Sequence, residues 1–254
     1  NNTAKVQSPE TSITKIFVAA AVIMFLIVAL YVFGVVRDAA RRAESQAAMQ
    51  QFGIDFKRYA RESENEIWPV LASTTGVWVP ELEPLYGKYR HVTSPANMVS
   101  IYHPEKKRLE GEIAEAWNLP LPDFDKAARI FGESFGYLGY MVQSEAEFES
   151  LRLARAQHAI LPDGTLPSTF NPGTVLPLRE GVERYLMTDI NGPAPSHLNQ
   201  WPIPVLIEIA TWKYKDSEAD FKGTNVLFMD GHVEFVSLGK FPVLPSILDV
   251  LSGS

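Results

Sequence analysis

Cysteine is absent from all 254 residues. Disulfides, thiolate nucleophiles and cysteine metal sites are excluded, while either side of a membrane stays open. Basic clusters are scarce as well. The net charge is −7. An acidic chain without a broad Lys/Arg patch argues against nucleic acid as a partner. No glycine-rich phosphate loop, internal repeat or low-complexity tract is present, so no cofactor is indicated. His91, His103, His158 and His197 show no metal-ligand spacing. One further absence is local: Ile16 to Val36 contains no charged residue.

At about 1.5 Å per residue, that run reaches roughly 30 Å, the thickness of a bilayer core. It has no polar stripe, unlike a helix on the surface of a globular core. A signal-peptide core would be shorter, typically about 7–15 residues, with a small-residue cleavage site behind it. Here Arg37, Asp38, Arg41 and Arg42 follow directly. The run therefore reads as a retained transmembrane helix over 16–36, behind a tail over 1–15, with membrane lipid as its surroundings. Ala19, Ala20, Ala21, Ala29 and Gly34 are small residues where another helix could approach closely. Lys and Arg are more numerous after the run than before it, which by the positive-inside rule puts the larger part in the cytoplasm.

Val36 to Ala60 has no proline and is rich in good helix formers, so the helix is expected to continue over 37–62. Phe52, Phe56 and Tyr59 recur at helical spacing and offer an apolar stripe. Gly53 weakens a helix by roughly 1 kcal/mol without ending it. Beyond Trp68-Pro69, residues 63–254 read as one α+β head. Helices are expected over Glu105–Asn118, Asp123–Phe131 and Ser144–Ile160, the last with a capping box in Ser144 and Glu147. Strands are expected over Gly76–Val79, Asn97–Tyr102, Phe135–Val142, Glu183–Thr188 and Val205–Trp212. The strongest local signal is Asn225 to Val236. Two apolar runs flank Asp230-Gly231, the pair favoured in a type I′ hairpin turn, where both central residues need positive φ.

Several stretches together resemble bacterial type IV pilin-like proteins of the prepilin-type processing-associated class, which is named for a His, nine residues, then Asp-Gly. They are Met49 to Pro69, Ser134 to Met141, Leu178 to Pro193 and the Asp-Gly hairpin. The resemblance implies a long N-terminal helix continuing into a head with a small antiparallel sheet and inserted helices. It also implies a head outside the cytoplasm, against the Lys/Arg count. Two departures stand out. Asp220 occupies the position of the family's His. No Gly precedes the apolar run, and Glu10 lies outside it, so processing by a prepilin peptidase is not expected.

Candidate chemistry was weighed residue by residue. Gly132-Glu133-Ser134-Phe135-Gly136 matches G-x-S-x-G, with Asp189 and His197 downstream. That mechanism needs a strand before the serine and a helix after it, whereas the sequence suggests the reverse order. Asp220, Asp230 and His232 could meet one cation, but metal sites usually need about three or four converging ligands. Asp123 with Asp125, and Glu145, Glu147 and Glu149, read as solvated helix charges. The tryptophans (Trp68, Trp78, Trp117, Trp201, Trp212) read as packing residues. The expected protein is a non-enzymatic, single-pass subunit of the cytoplasmic membrane with no catalytic, cofactor or metal residues. Its partners would be like subunits or other membrane proteins, as an accessory or scaffold subunit of a larger complex. A pseudopilin-like filament subunit and an anchored serine hydrolase remain as alternatives.

Overall fold

The proline-free stretch behind the apolar run lets one helix continue through it. A computed structural model describes residues 9–73, 76–158, 160, 166–167, 175–182, 203–215 and 221–253. Helix α1 occupies Pro9–Glu62. The chain divides after Ala43 into two compact units.

In the first unit, the side chains from Phe17 to Val36 are exposed apart from Gly34, which is half-buried. Phe25, Leu30 and Tyr31 each expose more than two thirds of their surface. So continuous an apolar surface is stable only in a non-aqueous surrounding. Among the described residues, α1 is the one helix long and apolar enough to cross a membrane. Ala19, Ala20, Ala21 and Ala29 are exposed, and a Cβ added at Gly34 would meet nothing within 4 Å.

The second unit, from Glu44 onward, has a four-stranded antiparallel sheet in the order β1-β2-β3-β4. The strands are β1 Phe135–Tyr137, β2 Pro204–Glu208, β3 Gly223–Phe228 and β4 Val233–Ser237. Every residue of β2 and β3 is buried, because helices cover both faces. One face carries Phe135, Tyr137, Leu206 and Leu227, which share a core with Met49, Phe52, Phe56 and Ala60 of α1. These four helix residues have no exposed surface. Phe52 meets Phe135 edge-on at 5.4 Å, and Phe56 meets Tyr137 at 5.4 Å. The other face carries Ile207, Val226 and Phe228, packed with Phe148 and Leu151 of α6 (Glu145–Ala156) and with Ile247, Leu248 and Leu251 of α8 (Pro245–Ser252).

Short helices α2 (Arg90–Thr93) and α3 (Pro95–Met98) lead to α4 (Lys106–Trp117) and α5 (Phe124–Gly132), and α7 is Ala210–Lys213. Side chains start two of these helices. Asp123 accepts the N–H of Lys126 at 2.9 Å, and Ser144 accepts that of Glu147 at 3.3 Å. Glu147 reaches back to the N–H of Gln143, one residue before the cap. Four sequence expectations are corrected. Phe135–Val142 is a strand only to Tyr137, where Gly139 takes φ +69 and breaks the extended run. Val205–Trp212 stops as a strand at Glu208 and turns helical from Ala210. Asn97–Tyr102 begins inside α3 and is not extended as a whole. The C-terminal tail holds α8, started by Pro245 and ended by left-handed Gly253. The Glu183–Thr188 strand expectation lies outside the described residues.

Candidate functional site

The hairpin turn comes first. Strands β3 and β4 pair in register from Gly223↔Ser237 to Leu227↔Val233. Gly231 donates to the Phe228 carbonyl at 2.9 Å, and Phe228 donates to that of His232 at 3.0 Å. Gly231 has φ +98, while Asp230 is not in the positive-φ region. The loop is therefore a three-residue turn closed by a left-handed glycine, not a type I′ turn. Asp230 spends Oδ1 on the His232 backbone N–H at 3.0 Å and on ring Nδ1 at 2.5 Å. The imidazole stacks flat on Phe228, with centroids 4.6 Å apart. Lys57 of α1 donates to the Asp230 carbonyl at 2.8 Å. Asp220 lies outside the described residues. Among the described residues, no three His, Asp or Glu converge as metal ligands.

Ser134 follows α5 and precedes β1, the reverse of a nucleophile elbow. It is fully buried, and its Oγ accepts the N–H of Ser100 at 3.0 Å. Both glycines of the motif answer to packing. A Cβ on Gly136 would lie 2.9 Å from Leu251 Cδ1, and one on Gly132 would lie 3.2 Å from Val77. Asp189 and His197 lie outside the described residues.

The polar centre of the head is a residue the sequence reading passed over. Glu208, at the end of β2, is 1% exposed. Its Oε2 accepts from Ser45 Oγ of α1 at 2.7 Å and from Asn225 Nδ2 of β3 at 3.0 Å. Its Oε1 accepts from Ser100 Oγ at 2.5 Å. Burial raises the Glu208 carboxyl above its ordinary value, and these three hydrogen bonds pull the other way. The Lys106 ammonium also favours the charged form, though its own hydrogen bonds go to the carbonyls of Ala96 and Val99 at 2.8 Å. Glu208 thus clasps α1, β2, β3 and the α3–α4 connection in one network. It also lines a cavity of about 340 Å³, with Ser45, Ser100 and Lys106 on the same wall set. A signal was present: Glu208 is the lone charge in Pro204 to Ala210, and a charge in a strand buried on both faces must be satisfied by partners.

A larger concavity, about 710 Å³, lies elsewhere in the head. Trp68, Leu71, Trp78, Tyr140, Pro177 and Leu178 contribute its apolar walls, and Arg152, Arg155 and His158 its basic groups. The Arg155 guanidinium lies 4.7 Å from the Trp78 ring centroid and donates to the carbonyls of Ala72 at 2.9 Å and Val77 at 2.6 Å. Burial lowers it to about 10. Trp68, Trp78, Trp117 and Trp212 are all buried, as packing residues would be. Trp201 lies outside the described residues.

No protein-family model matches this chain, and no curated protein or solved structure matches it.

Proposed function

We propose that this chain is a single-pass, membrane-anchored structural subunit with a pilin-like head, working as an accessory or scaffold component of a larger membrane assembly. One observation carries the reading. Helix α1 holds a charge-free, exposed apolar run, and the same helix supplies Met49, Phe52, Phe56 and Ala60 to the core of the head. A helix shared in this way fits an anchor that fixes a head at a bilayer. The best-formed polar cluster in the head, around Glu208, has its donors engaged in joining elements. That supports a structural role over a catalytic one. The head is assigned to the extracytoplasmic side of the cytoplasmic membrane, following the resemblance of the hairpin and the Met49 to Pro69 stretch to pilin-like proteins. A pseudopilin-like filament subunit is the variant of the same reading in which like subunits are the main partners.

The test is membrane fractionation combined with protease accessibility on cells stripped of any outer barrier. The chain should resist alkaline carbonate, dissolve only with detergent, and lose its head to external protease. Release by carbonate would end the anchor reading. A head cut only after the membrane is broken would end the extracytoplasmic assignment.

A further inference from the structure

Between α4 and α5 the chain reads Asn118-Leu119-Pro120-Leu121-Pro122, a short apolar knob. Leu121 is 86% exposed and Leu119 50% exposed, the most uncovered leucine pair in the head. The knob is held from beneath. Trp117 and Phe124 at its two ends lie 5.7 Å apart, and Tyr86 packs on both, at 4.8 and 5.7 Å. Trp117 Nε1 also donates to the Thr93 carbonyl at 2.9 Å. The leucines are therefore presented on a fixed base and are not loose loop residues.

The groove of about 710 Å³ described above has the complementary chemistry. Trp68, Trp78 and Tyr140 make it aromatic, and proline-rich segments dock in aromatic-lined grooves because their backbone is already extended. Charge agrees as well. The knob is flanked by the carboxylates of Glu115, Asp123 and Asp125. Lys126 offsets part of this and lies 3.9 Å from Glu112. The groove carries Arg152, Arg155 and His158, with Arg152 paired to Glu149 at 2.5 Å. The net balance is acidic at the knob and basic at the groove. No residue lines both.

We infer that the Leu119–Pro122 knob of one copy docks in the Trp68/Trp78/Tyr140 groove of a second copy, a head-to-tail contact between heads. This rests on the reading of the chain as an assembly subunit and supplies its contact. Because the two surfaces differ, the contact is heterologous. It repeats along a line or closes into a ring, and does not stop at a two-fold dimer.

The absence of native cysteine makes the test clean. Two differently tagged full-length chains, one with Leu121→Cys and one with Ser73→Cys at the groove, are co-expressed and mildly oxidised in the membrane. The mixed disulfide should exceed a control pair of Leu121→Cys with Lys240→Cys at least about tenfold, since the bond forms only when Cα atoms come within about 7 Å. Separately, Leu121→Glu should abolish co-purification of two tagged copies while leaving thermal unfolding unchanged, because the side chain is exposed. A mixed disulfide no stronger than the control overturns the inference, as does association that survives Leu121→Glu. Capture of a lipid or an unrelated protein by the groove would produce that result. If carbonate does not extract the chain yet the disulfide fails, the anchor reading stands and this contact falls.

Discussion

Two stretches of α1 contain similar apolar residues and bury them in different ways. From Phe17 to Val36 the side chains point outward all round and touch nothing else in the chain. From Ser45 to Ala60 only one stripe is apolar, and Met49, Phe52, Phe56 and Ala60 have no exposed surface. The outer face of that second stretch carries Gln50, Ile54 and Arg58, exposed to water. The first stretch leaves its apolar surface to a bilayer, and the second finds its own sheet. The comparison teaches that hydrophobic content alone does not say where a helix belongs. The width of the apolar face does.

The sharpest way to break this contrast is to delete one ring from each stretch. Phe56→Ala should cost the head about 3–5 kcal/mol, as for other buried aromatic truncations, read by protease resistance or tryptophan fluorescence during unfolding in detergent. Phe25→Ala should leave head unfolding unchanged. Equal effects would mean that the two stretches are not in different solvents. A charge tests the other side. Val28→Arg should cost about 2.5–3.5 kcal/mol of insertion at the centre of a spanning helix, read as loss of the membrane-integrated fraction.

Smaller effects probe how the second stretch is clasped. Glu208→Ala strands the donors of Ser45, Ser100 and Asn225 and should cost about 1–3 kcal/mol for the buried groups left unsatisfied, by urea unfolding. Glu208→Gln should cost less and should alter the pH dependence. Burial raises this carboxyl, so the folded chain keeps the proton over a range where the unfolded chain has lost it. Its stabilising contribution is full below the ordinary value of 4.5 and declines as pH rises through the raised folded value. The glutamine variant should flatten that decline. A decline of equal slope in both chains would place the effect elsewhere. At the hairpin, Gly231→Ala should cost about 1–2 kcal/mol for a left-handed alanine. Space is not the reason, since the nearest atom to the new Cβ is Lys57 Cε at 3.9 Å.

Much of this was legible along the chain. The charge-free run, the helix behind it, α4, α5, α6 and the Asp-Gly turn are signalled within a few residues each, by periodicity, capping side chains and turn chemistry. Gly53 shows where such reading stops. As sequence it is a helix weakener. In the fold a Cβ there would lie 3.0 Å from Leu227 Cδ1 and 3.6 Å from the backbone of Gly231, so it is where α1 and the hairpin approach most closely. The G-x-S-x-G pattern is the same lesson reversed. Its spacing suggests chemistry, and its glycines are small because Val77 and Leu251 press on them. The turn type failed for a local reason: hairpin loops of two and three residues share the Asp-Gly pair, and only the ladder register separates them.

By itself the sequence determined the apolar anchor, the continuing helix and its stripe, and an α+β head, because each depends on neighbours less than about two helical turns away. Tertiary structure alone decided that Ser45, Ser100, Glu208 and Asn225 meet in one buried network, with partners up to 180 positions apart. It also decided that Glu208 is buried on a strand covered on both faces. A carboxylate's neighbours are set by strand order and by which face the helices cover, and neither is written in the residues beside it.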